Sequence, residues 1–487
     1  MLFISIDHSC PIFTLYIPIM LFIDFFLQYI NCEIKLNKFL KEKETMKKIL
    51  YIALAVLLLT SPIWAGGAKE AAVTDQPAAT QQGFDWQSQS GSTIKIMANK
   101  HPWVDIIEPK IAEFESLTGI KVNLAIYPED QFRTKRTVEM VSGASDVDVF
   151  MLMPGNSLAQ YDQAGWVAPL DDMMKSDSLL WPDYDLNDIF SSALDAGAKN
   201  GKHYTIPILL ETSLLAYNKE IFAKYGVSVP KTMEELEAAA KTIYEGSAGD
   251  VYGITLRGKK ASATSQWVDF LHSFGGEWLV NGKSGLGTEE AIAASDYYGR
   301  LLRLYGPKSA PSNSWYESIS IFMQGKAAMV YDASVFKPNY ENPEKSAVAG
   351  KVGYAPIPAG PAGAVPHVSN WALSIYANSK NKEAAWLFIQ WATSKNVALE
   401  GLMSGIPSAR NSAWDSNEFK QGDTTPEWTK ASIDSYKVAS PIWNPPVIPV
   451  GECRDAAGSA IVAAILGEDV RAASLAAEKT MNKVLAK

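Results

Sequence analysis

Tyr204-Thr-Ile-Pro-Ile-Leu-Leu-Glu-Thr-Ser-Leu-Leu-Ala-Tyr-Asn-Lys-Glu220 is an apolar, strand-like run broken once, by the carboxylate of Glu211. The run resumes as Leu214-Leu215-Ala216-Tyr217 and passes into a helix start at Asn218. A charge inside such a run is costly to bury without a partner. Glu211 is therefore either paired within the protein or held ready for a ligand that brings hydroxyls.

Upstream of this run the pattern alternates between strand and helix. Thr93–Ala98 and Ile120–Ile126 alternate as half-buried strands, and Val147–Met153 is apolar throughout, as a strand buried on both faces would be. Pro109–Leu117 and Phe132–Ser142 read as helices between them, the first with Pro109 in its opening turn and Gly119 available as a left-handed cap. This spacing predicts an α/β fold with a parallel sheet flanked by helices. Downstream, Thr232 and Glu235 form a capping-box pattern. Ala327–Tyr331, Lys351–Tyr354 and Trp371–Tyr376 read as strands, the last two around a Gly/Pro loop over 356–366. Lys382–Thr393 reads as an amphipathic helix with Trp386 and Trp391 in the core, and 456–487 as mostly helix.

The chain has 487 residues, 47% apolar and 20% charged, enough for two lobes with separate cores. A net charge of −9 argues against a nucleic-acid partner. The histidines, His8, His101, His203, His272 and His367, are scattered, and Cys10, Cys32 and Cys453 form no zinc-ligand spacing, so neither a metal nor a cofactor is expected. Met46-Lys-Lys, the apolar run Ile49–Leu59 and Ala65 read as a signal peptide over 46–65, with cleavage after Ala65. Residues 1–45 are then expected to be an upstream extension before a start at Met46; the alternative is that the apolar run Ile12–Ile30 is a membrane segment, a reading that Pro18 and Asp24 weaken. Residues 66–92, rich in Ala, Gln, Ser, Thr and Gly, read as a flexible tether. No cysteine follows the apolar core, so a lipid anchor is not supported and a periplasmic location is expected.

Enzyme signatures are absent: there is no GxSxG, no HExxH and no EF-hand loop. Gly276–Ser284 imitates a phosphate loop but carries five residues between its glycines and leads to no helix, so it reads as a surface turn. A secreted carbohydrate-active enzyme would need paired carboxylates such as Glu211 and Asp332, whose separation sequence cannot set. A sugar site needs rings for carbon faces and acids and amides for hydroxyls. Trp371, opening a strand directly after Asn370, and Trp443, in the rigid loop Pro441–Pro446, are the ring candidates.

Phe114–Val122, Gly165–Asp172, Tyr204–Lys219, Val229–Leu236, Phe322–Met329 and Ser379–Trp386 follow one another in a set order and at set distances. In these pieces the chain resembles the extracellular solute-binding proteins of the family-1 sugar type, which feed ABC importers. Gly253–Lys259, Val330–Ser334 and Val348–Pro356 are similar to its polyol-binding branch. The resemblance implies a type II two-lobe fold, with lobe 1 at 93–210 plus about 356–406 and lobe 2 at 211–355 plus about 407–487. Ligand would bind between the lobes and close them by hinge bending. It also implies binding of a sugar or polyol without catalysis, by a monomer that delivers its ligand to a membrane permease. On this alignment Glu211 is the carboxylate of the first crossover. Asn99 and His101 follow the first strand, Asn156 the third, and Asp332 the Ala-Ala-Met strand, while Trp371 and Trp443 are the cleft aromatics. Strand C-terminal ends are where open α/β sheets place ligands, which supports the two loops independently.

Overall fold

The computed structural model describes residues 83–143 and 146–486. The expected signal peptide, the extension before it and the first part of the tether lie outside the described residues. Residues 83–92 are packed: the Trp86 ring lies 5.4 Å from that of Trp181, and Gly91 N donates to Gly119 O at 3.0 Å.

The chain opens with β1 (Thr93–Asn99), α1 (Ile111–Thr118), β2 (Lys121–Tyr127), α2 (Glu129–Ser142), β3 (Val149–Leu152) and α3 (Pro154–Gln163). Gly119, at φ 70°, ends α1 in the left-handed conformation that glycine adopts without strain. Next come β4 (Thr205–Pro207) and β5 (Glu211–Asn218), so the opening apolar run is two strands with a break at 208–210. The Asn218 side chain then caps the next helix, accepting from Glu220 N at 3.0 Å and Ile221 N at 3.1 Å. Beyond these lie α4 (Met233–Gly246), α5 (Lys260–Ser273), α6 (Glu289–Tyr305), α7 (Trp315–Met323), β6 (Met329–Ala333), β7 (Val352–Ala355), β8 (Val368–Ser369) and β9 (Ala372–Ile375). The chain closes with α8 (Lys382–Ala392), α9 (Val450–Leu466) and α10 (Val470–Leu485).

Two sheets result. The first has the order β2-β1-β3-β9-β4, with β1 parallel to β2 and β3 and with β9 antiparallel to both of its neighbours. It is thus mixed rather than the parallel sheet expected, because β9 re-enters it from the second sheet and runs the opposite way. The second sheet is β6-β5-β7, antiparallel throughout. Two connections join them: β4 to β5 through 208–210, and β8 to β9 through 370–371. β8 pairs with the start of β5, setting Ser369 opposite Glu211. Both crossings therefore run side by side with Glu211 at their meeting point.

β3 is buried along its whole length, as its apolar run predicted. Trp386 is fully buried in α8, and its indole N–H donates to Leu179 O at 3.0 Å. Burial of such side chains contributes roughly 1.5–3 kcal/mol each. Thr232 caps α4 by accepting from Glu235 N at 3.2 Å, whereas the Glu235 carboxylate reaches Lys231 N, not Thr232 N, at 2.7 Å. The Gly276–Ser284 stretch is a hairpin with an exposed turn and a buried Trp278, Leu279 being paired to Ser284 and both turn residues, Asn281 (φ 53°) and Gly282 (φ 76°), left-handed.

Candidate functional site

A cavity of about 550 Å³ lies where the two sheets face each other. The first lobe supplies the end of β1 (Asn99), His101, α2 (Glu129, Arg133, Arg136) and the start of α3 (Asn156, Ser157). The second supplies β5 (Glu211, Ser213), Arg257, Trp315, Asp332, Trp443 and Arg454. His367, Ser369 and Trp371 come from the returning crossover.

The charges are arranged in buried pairs. Arg257 grips Asp332 with two nitrogens, Nη2 to Oδ1 and Nε to Oδ2 at 3.1 Å. Its backbone is held by Gln266 Oε1 at 2.8 Å. Glu129 accepts from Arg133 Nε at 3.0 Å and, across the cleft, from Trp315 Nε1 at 2.7 Å. Burial alone would push the Glu129 carboxyl up; Arg133, then Arg257 and the Trp315 indole, hold it down at about 2. Arg454 is buried without a carboxylate bonded to it, donating to Thr264 Oγ1 at 2.8 Å, Ala261 O at 2.7 Å and Ser265 Oγ at 2.7 Å. Burial, with the charges of Arg133 and Arg257, lowers its guanidinium to about 9.

Glu211 has no such partner. It is 6% exposed, and among the described residues its carboxylate is hydrogen-bonded only by the Ser369 hydroxyl, at 3.2 Å. Burial pushes the carboxyl up to about 7, against the opposing charges of His367 and Arg257. Asn99 is more isolated still: it is 1% exposed, and neither its Oδ1 nor its Nδ2 has a partner. Buried amides are ordinarily hydrogen-bonded, so both its atoms are available to a guest. His101 accepts from Trp103 N through Nδ1 at 3.2 Å, and burial lowers its ring to about 4. It is therefore neutral, with the proton on Nε2.

Seven of the residues picked from the sequence, Asn99, His101, Asn156, Glu211, Asp332, Trp371 and Trp443, line this one cavity. Asn370 does not: its Nδ2 donates to Ala193 O at 3.2 Å. Alternation along the crossover explains this, since Ser369 and Trp371 face the cavity and the residue between them must face away. Asp332 lines the cavity, but its carboxylate is given to Arg257 and to Ala333 N at 2.8 Å. Neither ring stands free. Trp371 has the Arg133 guanidinium 5.7 Å from its centroid, and Trp443 stacks with His367 at 5.9 Å and has Arg454 at 5.5 Å. Sequence reading missed Glu129, Arg133, Arg257, Trp315, His367 and Arg454. His367 carried a signal, as a lone histidine in the Gly/Pro approach to β8, and Arg257 lay within the Gly253–Lys259 segment that resembles the polyol-binding branch.

Two α/β lobes, joined by adjacent crossovers and lining one polar cavity, define a type II ligand-binding fold. The model of the family described as bacterial extracellular solute-binding protein matches residues 99–398. The chain belongs to that family. It is 33% identical to the erythritol/L-threitol-binding protein of Mycolicibacterium smegmatis, over 70% of this chain and 74% of that one. It is 30% identical to the mannitol-binding protein of Pseudomonas aeruginosa, over 62% of this chain and 69% of that one. Among solved structures, an ABC transporter solute-binding protein from Agrobacterium radiobacter in complex with ribitol superposes with a TM-score of 0.74 at 28% identity, covering 81% of this chain and 99% of that one. The protein is thus a solute-binding protein and not an enzyme, and its place is periplasmic or extracellular.

Proposed function

We propose that this protein binds an acyclic sugar alcohol in the cavity around Glu211 and Asn99, in the periplasm, and delivers it to an ABC permease. The observation that carries the reading is the Asn99 amide, buried with both polar atoms without a partner among the described residues, in the same cavity as an under-bonded Glu211 carboxylate. Such groups have donors and acceptors that the protein does not satisfy, and a chain of hydroxyls, each both donor and acceptor, satisfies them. The similar proteins named for erythritol, threitol and mannitol support a polyol over a larger sugar.

Asn99, His101, Asn156 and Glu211 take hydroxyls in this reading, and Trp371 and Trp443 shield the carbon chain. Asp332 acts by fixing Arg257. The lobes are 93–210 with about 356–406, and 211–355 with about 407–487, in keeping with the strands each sheet draws on. The chain works as a monomer.

The test is a thermal-shift screen of erythritol, ribitol, D-mannitol, sorbitol, glucose and maltose, followed by calorimetric titration. A ligand that binds only the folded state raises the melting temperature. Stabilisation by at least one alditol, and less by the cyclic sugars, is expected. Stabilisation by maltose alone would sink the polyol assignment.

A further inference from the structure

His367 lines the cavity, yet what it is bonded to lies behind it. Asp269 on α5 is fully buried, and its Oδ1 takes both the backbone N–H of His367, at 2.7 Å, and the ring Nδ1, at 2.9 Å. Its Oδ2 takes the Tyr331 hydroxyl at 2.8 Å. A carboxylate with those donors can only accept, so Nδ1 carries a hydrogen. Ser213 Oγ also lies 3.2 Å from Nδ1. Nε2 has no protein partner among the described residues. Ser213 sits two residues from Glu211 on β5, His367, Ser213 and Glu211 all line the cavity, and the charge of His367 acts on the Glu211 carboxyl more strongly than that of Arg257.

We propose that Asp269, which touches no ligand itself, positions His367 as a charged donor whose Nε2–H binds the same ligand hydroxyl that donates to Glu211. The proposal rests on the polyol reading above. A hydroxyl held in this way is read as donor and acceptor at once, so a deoxy or O-methyl group there leaves a buried charge unpaired. Asp269 is thus a positioning residue and His367 a specificity-determining one.

The groups facing the ring are consistent with a charged imidazole. Burial opposes the charge, and Arg257 does so more weakly; Asp269, by charge and hydrogen bond, and Glu211 outweigh them and raise the ring above its ordinary value. Arg454 stands beyond Trp443, and the Tyr331 hydroxyl is raised well above its usual range, chiefly by burial, and stays neutral. Asn at 269 keeps the shape and removes the charge that, with its hydrogen bond, raises the ring.

The experiment measures binding of ribitol, D-mannitol and erythritol by calorimetry from pH 5.5 to 8, for wild type, Asp269→Asn, His367→Gln and Glu211→Ala. Histidine ring ¹⁵N shifts of the ligand-free wild type and Asp269→Asn are recorded alongside. Asp269→Asn is expected to weaken binding roughly ten- to hundredfold at pH 8, where the Glu211 carboxyl is ionised in both proteins, the size of a lost charge-assisted hydrogen bond. The ring ¹⁵N shifts of the variant should report a His367 that has lost its charge, which a packing defect alone would not produce. The wild-type spectrum at pH 7 should show His367 protonated on both nitrogens, a readout that needs no variant to fold. Unchanged binding in Asp269→Asn, or a neutral His367 at pH 7, overturns the proposal. If Glu211→Ala is silent as well, the polyol reading itself fails, which separates the two failures.

Discussion

Ser369 faces Glu211 directly across the β5–β8 ladder and donates its hydroxyl to Oε1 at 3.2 Å. That single neutral donor leaves a buried carboxylate short of partners, and its acid is pushed up to about 7, first by burial. Glu211→Ala should weaken polyol binding by about tenfold or more, since the ligand hydroxyl loses a charged acceptor. Calorimetric titration checks this.

The same carboxyl makes a pH prediction for the ligand-free protein. Its folded value is about 7, above the ordinary 4.5, so between these limits the folded state binds more protons than the unfolded one. Stability contributed by Glu211 is therefore present below pH 4.5 and declines as pH rises to about 7, by about 3 kcal/mol in all. His101, lowered to about 4, has the opposite sign: its contribution is lost as pH falls from about 6.5 to 4. The two oppose each other over much of this range, so the wild-type profile alone is uninformative. The difference in melting temperature between Glu211→Gln and wild type isolates the first. It should be near zero at pH 4.5 and grow in favour of the variant up to pH 8.

Among the described residues the Asn99 side chain makes no hydrogen bond to lose. Asn99→Ala should therefore leave ligand-free stability within about 1 kcal/mol, or raise it by removing an unsatisfied buried amide. Affinity for ribitol or mannitol should fall by roughly ten- to hundredfold. Urea denaturation and calorimetry on one preparation separate the two effects. A large stability loss with affinity intact would contradict the ligand-facing role.

Glu211 could be found in the sequence because a charge interrupts an apolar run, which needs no knowledge of distant residues. The order of strands and helices was readable for the same reason: β3 and α8 declare themselves by local periodicity. The partners of the site were not readable. Arg257 and Asp332 are 75 residues apart, and His367 and Asp269 are 98 apart. Nothing in the flanking residues marks them as neighbours, because tertiary folding alone brings them together. Asn370 was misread because pleating decides which of three successive crossover residues faces the cavity, and the register was set by β8 pairing with β5.

The Arg257–Asp332 pair should behave as a buried pair does. The side chains are 13% and 1% exposed, and removing one strands the other. Asp332→Ala should cost about 3–5 kcal/mol, by urea denaturation. The double variant Asp332→Ala/Arg257→Met should recover much of that, since no uncompensated charge remains. Ligand binding should stay impaired in both, because the guanidinium edge of the cavity is displaced in the first and absent in the second.

Gly155, near the start of α3, carries the last prediction. A Cβ built there would lie 2.8 Å from Trp443 Nε1, closer than any real contact of that kind. Its carbonyl also accepts from Asn444 Nδ2 at 3.1 Å, so the glycine is the point where the Pro441–Pro446 loop of one lobe meets the other. Trp443 is 6% exposed and stacked on His367, and the prolines around it leave little room to move. Gly155→Ala should therefore push the loop off α3 and bias the lobes apart. Within α3 itself alanine is the better residue, by up to about 1 kcal/mol, so the ligand-free protein should melt no lower than wild type. Polyol affinity should nevertheless fall, mainly through faster dissociation, because a cleft that cannot close leaves the ligand open to water. Small-angle scattering with saturating ligand should show a radius of gyration closer to the ligand-free value than wild type gives. Wild-type affinity together with full closure would mean that Trp443 yields without cost and that this contact does not govern closure of the lobes.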